Sequence, residues 1–532
     1  MSEEQSDPRT SPGPVRTALG ALSGALAGFA ALAVAELAAA GVRPQASPVV
    51  VVGGASIDQT PAAVKDWAIR HFGTDDKLVL QLGILIVLAL LALGLGALAV
   101  RRRTAGAAGV LLFGVIGAVA ALTRPDSRGF TDTLPSLIGA VAGALLLYFL
   151  AGRLVTPVPV AASGPVEHGD LDRRGFVIAA TSAAAASAVV GGVGRKLSGN
   201  RAGDAVASRA QVVLPRPGSP ARPTPGRAAL RVDGVSSYVT PNKTFYRVDT
   251  ALVVPKVDAT AWRLRVHGKG VPRPVTFTFD DLLRRRLIER TITLTCVSNE
   301  VGGPYVGNAR WTGVRLADLL AECGVKPPSH GGPADQLVAR SVDGMTIGTP
   351  VEDIMDGRDA MLAVGMNGEP LPFEHGFPVR MLVPGLYGYV SACKWIQDIE
   401  LTTFDSYDPY WVKRGWARKA PIKTQSRIDT PKPFARPKSG TVMVAGVAWA
   451  QHRGIDKVEV RVDDGPWQEA HLAAEDTRDT WRQWSFPWQA AKGSHTLTVR
   501  ATDRTGSVQT EKRARTIPDG ASGWHSVVVT AE

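Results

Sequence analysis

Cys296 is the residue best placed to do chemistry. It closes the run Thr291-Ile-Thr-Leu-Thr-Cys296, in which Ile292, Leu294 and Cys296 share one face and the threonines share the other. That period of two predicts a strand. The strand stops in Val297-Ser-Asn-Glu-Val-Gly302-Gly303. A cysteine where a strand gives way to a glycine-bearing loop can meet a ligand. The other two cysteines read differently. Cys323 shares a helical face with Leu316, Leu319 and Leu320, and Gly324 ends that helix, so it is a core residue. Cys393, between Ala392 and Lys394, reads as packing. A second rich segment runs from Met366-Asn-Gly through Pro372-Phe-Glu-His375-Gly-Phe-Pro-Val-Arg380. Asn-Gly signals a hairpin turn. His375 and Arg380 flank a segment shaped by Pro and Gly, and are candidate ligand or anion contacts against the commoner structural role.

The elements that must position these residues alternate between strand and helix over residues 228–425. Trp262-Arg-Leu-Arg-Val-His267 has strand periodicity. Thr278-Phe-Asp-Asp281 opens a helix with a capping-box pattern, and Arg284 to Arg286 read as its solvated face. Beyond 430, Val458, Val460 and Val462 alternate before the turn Asp463-Asp464-Gly465. Leu497 and Val499 alternate later, and Trp467, Trp481, Trp484 and Trp488 supply large apolar bodies. Residues 430–532 therefore read as a small β-sandwich. Taken alone, that region could equally be a carbohydrate- or protein-binding module.

Upstream lie five apolar runs, near residues 18–42, 78–100, 106–122, 134–151 and 175–193. A bilayer-crossing helix needs about 20 apolar residues, so residues 1–195 are expected to be a multi-span helical anchor in contact with lipid. Basic residues in short loops set orientation. Arg9, Arg16, Arg101 to Arg103, Arg153, Arg173 and Arg174 fall on one side. Asp58, Asp66, Asp75, Asp76, Asp126 and Asp132 balance the loops on the other. With the N-terminus inside, five spans carry the C-terminal part outside a bacterial cytoplasmic membrane. Asp172-Arg173-Arg174-Gly175-Phe176-Val177 is similar to a twin-arginine export signal, which serves proteins already folded. None of the nine histidines falls in an apolar run, so no haem is expected between the helices. Glu36, near the outer end of the first run, reads as reaching the interface. The Pro-rich stretch Leu214 to Pro225, within a linker at 196–227, is expected to stand as a semi-rigid spacer, with the folded domain starting near Ala228.

The bulk numbers bound the rest. The chain has 532 residues, too many for one ordinary domain. Its formal charge is +12, but part of that excess lies in loops between apolar runs, and no basic stripe is interleaved with aromatics. Nucleic-acid binding is not expected. Three cysteines are too few for a disulfide framework.

Four segments, in order, resemble the sulfite-oxidase family of molybdopterin enzymes. They are Val239-Thr-Pro-Asn242 to Phe245-Tyr246-Arg247, then Leu294-Thr-Cys296-Val-Ser-Asn299, then Met366 through Arg380, then Pro384-Gly385 through Lys394-Trp395. The resemblance covers residues 228–532. It implies a mixed α+β domain at 228–425 around one mononuclear molybdenum–pterin centre, and an immunoglobulin-like dimerisation domain at 430–532. Cys296 would supply a thiolate to the metal, as suits a soft ligand. His375 and Arg380 would hold the pterin and its phosphate, with Lys394 a further phosphate contact and Asp343 a pterin contact. Phe245, Tyr246, Asp249, Asn299 and Ser391 fall in the same cofactor-binding motifs, and Arg247 takes a catalytic place.

The departures bear on substrate. Where sulfite oxidases carry Arg-Asn-His at the entry motif, this chain has Phe245-Tyr246-Arg247-Val248-Asp249-Thr250, so that either Arg247 substitutes from a shifted register or the substrate arginine is absent. Ile347 stands where they have a catalytic tyrosine. A pocket without such groups holds a sulfite-sized dianion poorly, which argues against sulfite itself. The expected function is two-electron oxygen-atom transfer on a small sulfur-containing or other substrate, with an electron carrier as partner and a homodimer formed through the C-terminal domain. The rival expectation is a cofactor-free extracytoplasmic binding or sensor protein on the same fold.

Overall fold

Alanine, leucine and glycine dominate the first two hundred residues, and they build long helices. The computed structural model describes residues 13–61, 64, 67, 68, 71, 72, 76–155 and 173–532. The helices are α1 Pro14–Val42, α2 Pro48–Gln59, α3 Asp76–Arg101, α4 Arg103–Thr123, α5 Leu134–Val155 and α6 Arg173–Gln211. All but α2 are long and apolar enough to cross a bilayer. Residues 43–77, expected as a loop, contain α2, which starts with Pro48 in its first turn. Arg9, Asp66, Asp75 and Asp172, used above to orient the spans and to read the export signal, lie outside the described residues. Small residues let the helices approach closely. A Cβ added at Gly24 of α1 would lie 1.9 Å from the Ala92 carbonyl oxygen of α3, so only glycine fits there. At one end of the bundle, buried Arg43 donates to Asp132 (2.9 and 2.6 Å) and to Asp126 (3.0 Å). A buried guanidinium is tolerated when its donors are paired this way.

Described residues up to Gly203 together with Thr250–Val253 form one compact unit; Asp204–Asp249 and Val254–Glu532 form another. The second unit begins with β1 Arg263–Gly268, β2 Val275–Thr278, β3 Ile288–Thr295, β4 Val306–Arg315, β5 Gln336–Ser341, β6 Thr346–Pro350, β7 Met361–Met366, β8 Glu369–Pro370, β9 Arg380–Leu382 and β10 Ile396–Thr402. They make two sheets, β2-β1-β10-β5-β6 and β3-β4-β7-β8, with β9 on β7. β1 runs parallel to β10. The capping box forms at Thr278, whose side chain accepts from the Asp281 amide. Asn367 and Gly368 both take positive φ (53° and 83°) in the β7–β8 hairpin, the conformation an Asn-Gly turn favours.

The stretch expected to stand as a semi-rigid spacer is instead tied into the second unit by hydrogen bonds. α6 runs on to Gln211, and Arg209 donates to the Leu371 and Pro370 carbonyls (both 2.7 Å). Ser219 bridges to Ile288 at the edge of β3, donating to Leu287 and accepting from Glu289. Proline lacks the donor for a full strand, but a serine between prolines supplies one.

The last part holds β11 Gln425–Thr430, β12 Gly440–Trp449, β13 Ile455–Val462, β14 Gln468–Glu469, β15 His471–Leu472, β16 Arg482–Ala490, β17 Gly493–Asp503 and β18 His525–Ala531. They form two four-stranded sheets, β11-β12-β16-β15 and β14-β13-β17-β18. Val444, Trp484, Val458 and Leu497 from both sheets share one core. This part also covers the threonine face of β3. Thr293 Oγ1 accepts from the Trp481 amide (2.7 Å), and Gln451 donates to the Thr293 carbonyl (2.9 Å) and to Thr295 Oγ1 (3.0 Å). Both faces of the strand that carries Cys296 are therefore buried, one by apolar packing and one by hydrogen bonds.

Candidate functional site

Cys296 follows β3 directly, and its amide donates to the Tyr305 carbonyl (3.0 Å). Its side chain is buried, and none of the three cysteines forms a disulfide. The loop beyond it is pinned from several directions. Asn299 Oδ1 accepts from the Tyr305 amide (2.7 Å) and the Asn299 amide returns to the Cys296 carbonyl (3.1 Å). Arg427 of β11 donates to the Gly303 carbonyl (2.8 Å). Gly302, at φ +79°, lies so close to the His525 ring that an added Cβ would sit 2.2 Å from it. A left-handed turn against a ring leaves room only for glycine. The Asn299 oxygen therefore shapes the cysteine loop.

The N-terminal motif supplies the aromatic wall. Phe245 stacks on Tyr246 (ring centroids 5.1 Å) and meets Trp311 (5.8 Å) and His375 (5.5 Å) edge to face. Burial raises the Tyr246 phenol, and its electrostatic neighbours are the Cys296 sulfur and the Arg380 guanidinium. Cys296, Tyr246 and Arg380 are thus brought to one site.

Arg380 opens β9. It is 5% exposed, its Nη1 donates to the His375 carbonyl (3.1 Å), and its guanidinium lies 5.0 Å from the Trp311 ring centre. Its Nε is buried without a hydrogen-bond partner among the described residues. Burial pulls its pKa down to about 10. A buried cation with an orphaned donor is costly unless an anion reaches it.

His375 is fully enclosed. Burial pushes its pKa down to about 4, and the nearby Arg380 and Lys394 charges add to that. It is neutral at pH 7. Its Nε2 lies 3.0 Å from the Asn242 carbonyl. A carbonyl only accepts, so Nε2 carries the proton and Nδ1 is left with a lone pair. Gly376, at φ +110°, brings Arg380 and Lys394 together: an added Cβ would lie 3.1 Å from both side chains.

Lys394 Nζ donates to Asp249 (2.7 Å) and to the Glu374 carbonyl (3.0 Å). The next residue, Trp395, takes a left-handed φ of 50° and donates from Nε1 to the Phe373 carbonyl (2.8 Å). Such a conformation costs about 1–3 kcal/mol and persists only where surroundings enforce it. Arg247 lies beside the same carboxylate, with Nε 3.0 Å from Asp249, and is about one-third exposed. Asp343 shapes the β5–β6 turn, accepting from the Met345 amide (3.3 Å); burial pushes the Cys393 thiol up, and the Asp343 charge adds to that. The Ser391 hydroxyl is spent locally on the Leu386 and Tyr387 carbonyls (2.9 and 3.0 Å). Ile347 is fully buried in β6.

Sequence reading missed two contributors. Tyr387 is buried, and its phenol is raised by burial and by charges that include the Cys296 sulfur. The bulky residue after Pro384-Gly385-Leu386 was its available signal. Trp311, under Arg380, carried none, because it is an ordinary core residue of β4.

Among the described residues, no group of three or more His, Cys, Asp or Glu could hold a metal ion. A metal at Cys296 would take its remaining ligands from a cofactor. The buried thiol, the uncompensated Arg380, the lone pair on His375 and the Lys394 ammonium fit an anionic pterin that brings such ligands.

The oxidoreductase molybdopterin binding domain matches residues 251–411, and the Mo-co oxidoreductase dimerisation domain matches residues 420–532. The mitochondrial sulfite oxidase of Rattus norvegicus is 30% identical over 344 residues, covering 55% of this chain and 62% of that protein. The chain thus spans about three-fifths of the length of the mammalian sulfite oxidases it matches. An uncharacterized oxidoreductase, YuiH of Bacillus subtilis, is 32% identical over 185 residues, covering 34% of this chain and 87% of that protein. The sulfane dehydrogenase SoxCD of Paracoccus pantotrophus aligns with a TM-score of 0.48 at 26% identity, over 56% of this chain and 84% of that one. The chain belongs to the sulfite oxidase-like family of molybdopterin-dependent oxidoreductases.

Proposed function

We propose that the second unit is an oxygen-atom-transfer enzyme with one molybdenum–pterin centre held through Cys296, and that it needs no haem. The observation that carries this is the buried, uncompensated Arg380 beside Tyr246 and the Cys296 thiol. When bound, the cofactor supplies the two-electron oxygen-atom chemistry. The chain's own residues bind and orient it. Cys296 offers the thiolate. Arg380 compensates an anionic group with a buried cation, the stronger class of hydrogen bond. His375 Nδ1 accepts one proton donor of the cofactor. Lys394, held by Asp249 and Trp395, adds positive charge. Asn299 fixes the loop after the cysteine, and Asp343 and Ser391 would add cofactor contacts, a reading supported only by their place in the family-like motifs.

Arg247 is the cation nearest to a substrate role, but its pairing with Asp249 offsets its pull on an anion. With Ile347 apolar and buried, the site favours a small substrate of low charge, sulfur-containing or otherwise, over sulfite. The long apolar helices support a membrane anchor, and the Arg173-Arg174 pair at the start of α6 supports export of the folded domain to the outer side of a bacterial membrane. The immunoglobulin-like C-terminal domain would pair two chains, and an electron carrier would complete turnover.

Metal and pterin analysis of the purified full chain tests this reading. It requires one molybdenum and one pterin per chain. Protein active as isolated but free of both would sink it.

A further inference from the structure

The two sheets of the C-terminal domain differ in what covers their outer faces. β11-β12-β16-β15 turns Val447, Trp449 and Trp481 into the core of the preceding domain. β14-β13-β17-β18 turns Val458, Val460, Leu497 and Val499 inward, which puts the alternate residues of those strands on the outside. That outer face carries an aromatic and basic cluster. Trp467, just before β14, and Trp524, just before β18, meet edge to face (ring centroids 4.9 Å). Arg461 of β13 lies 5.0 and 5.4 Å from the two ring centres, and Arg500 of β17 lies 4.2 Å from that of Trp467. All four side chains are half-buried.

The two arginines are not equivalent. Arg500 donates to Glu459 (2.8 Å), which also accepts from Lys457 (3.2 Å). Arg461 has no ion pair or hydrogen bond among the described residues, and its Nε is buried. The indole rings hold its guanidinium by cation–π attraction, but its charge is unanswered. A cation with a buried, unused donor is costly unless an anion reaches it. An anion stands on the same face. In the β13–β14 ladder Glu469 is directly opposite Glu459, so the two side chains share one side of the sheet. Glu459 is already satisfied by Arg500 and Lys457. Glu469 is exposed, without an ion pair or hydrogen bond among the described residues. One face thus presents an unanswered cation and an unanswered anion that do not meet within the chain.

We infer that two copies of the chain meet on this face, with Arg461 of each paired to Glu469 of the other. The inference rests on reading the C-terminal domain as one that pairs two chains. A two-fold axis lying across the face, midway between the two residues, brings each over its counterpart. One self-complementary patch then makes the same contact twice. Tryptophan and arginine are the residue types that carry most of the binding energy at such interfaces, and Arg461 sits here between two tryptophans. Closure of the face also covers Val528 of β18, which lies opposite Thr496 on the outer side and is 40% exposed.

The test is sedimentation velocity of the full chain in detergent, over a range of concentrations. The parent is expected to be a dimer. Arg461→Glu and Glu469→Arg each set like charges against one another at both contacts, and each should raise the dimer dissociation constant by about a hundredfold. The two changes combined in one chain put opposite charges back at both contacts, and the double variant should bind itself more tightly than either single one. Glu469 is exposed, so Glu469→Arg leaves the fold intact and decides by itself whether the face lies in the interface; thermal melting checks each variant. A dimer untouched by Glu469→Arg, or a double variant no tighter than the singles, would overturn the proposal. A monomeric parent would instead overturn the reading of the domain as a pairing one, and this face with it. A dimeric parent that ignores the charge reversals refutes the face alone.

Discussion

Arg380→Met separates two contributions that Arg380 makes with opposite sign. In the cofactor-free protein the guanidinium is a liability. Burial lowers its pKa from 12.5 to about 10, and at about 1.4 kcal/mol per pH unit that is a cost of about 3 kcal/mol. Because the folded value lies below the unfolded one, the cost is complete below pH 10 and fades as pH rises from 10 to 12.5. At pH 7 it is fully present. Methionine fills similar volume without charge. It forfeits the contact with Trp311 and the bond to the His375 carbonyl, together about 1–2 kcal/mol. The net expectation is a gain of about 1–2 kcal/mol for the cofactor-free variant. In the loaded protein the sign reverses, since the same guanidinium would meet an anion. Urea unfolding followed by tryptophan fluorescence reads the first effect, in protein made by a host unable to synthesise molybdopterin. Pterin content from a competent host reads the second and should fall below one-tenth of the parent. A variant that is less stable without cofactor and keeps its pterin would refute the reasoning.

Other predictions follow from neighbouring groups. His375 is neutral when folded, with a pKa of about 4 against 6.5. Its contribution is complete above pH 6.5 and is lost as pH falls toward 4, about 3 kcal/mol in all. His375→Gln should flatten that part of the stability curve, and parallel curves for parent and variant would count against buried neutral His375. Arg427→Ala frees the Gly303 carbonyl and the loop after Cys296; stability should drop by about 1–3 kcal/mol and kcat/KM should fall with it, both read on the loaded enzyme. Thr278→Ala removes the cap of the helix Phe279–Leu283 and should cost about 1 kcal/mol in urea unfolding with turnover unchanged.

What could be read in the sequence is what local chemistry determines. The alternation around Ile292, Leu294 and Cys296 specifies a strand, and Asn367-Gly368 specifies a turn, because both depend on near neighbours. The three cysteines could be sorted by context, and Cys323 and Cys393 are buried in the core. Contacts between distant segments could not be read. The threonine face of β3 looks solvent-facing until Trp481 and Gln451 arrive from residues more than 150 positions away. Ser219 among prolines looks like a spacer until the edge of β3 accepts it. Trp311 looks like an ordinary core residue, since nothing local says that Arg380 is its neighbour.

The central claim is that the Cys296 sulfur binds the metal. Molybdenum K-edge X-ray absorption of the loaded parent and of Cys296→Ser measures it directly. The account predicts that the variant loses one sulfur from the first shell, and turnover with it, while its fold is retained. Identical sulfur shells in the two proteins would contradict it.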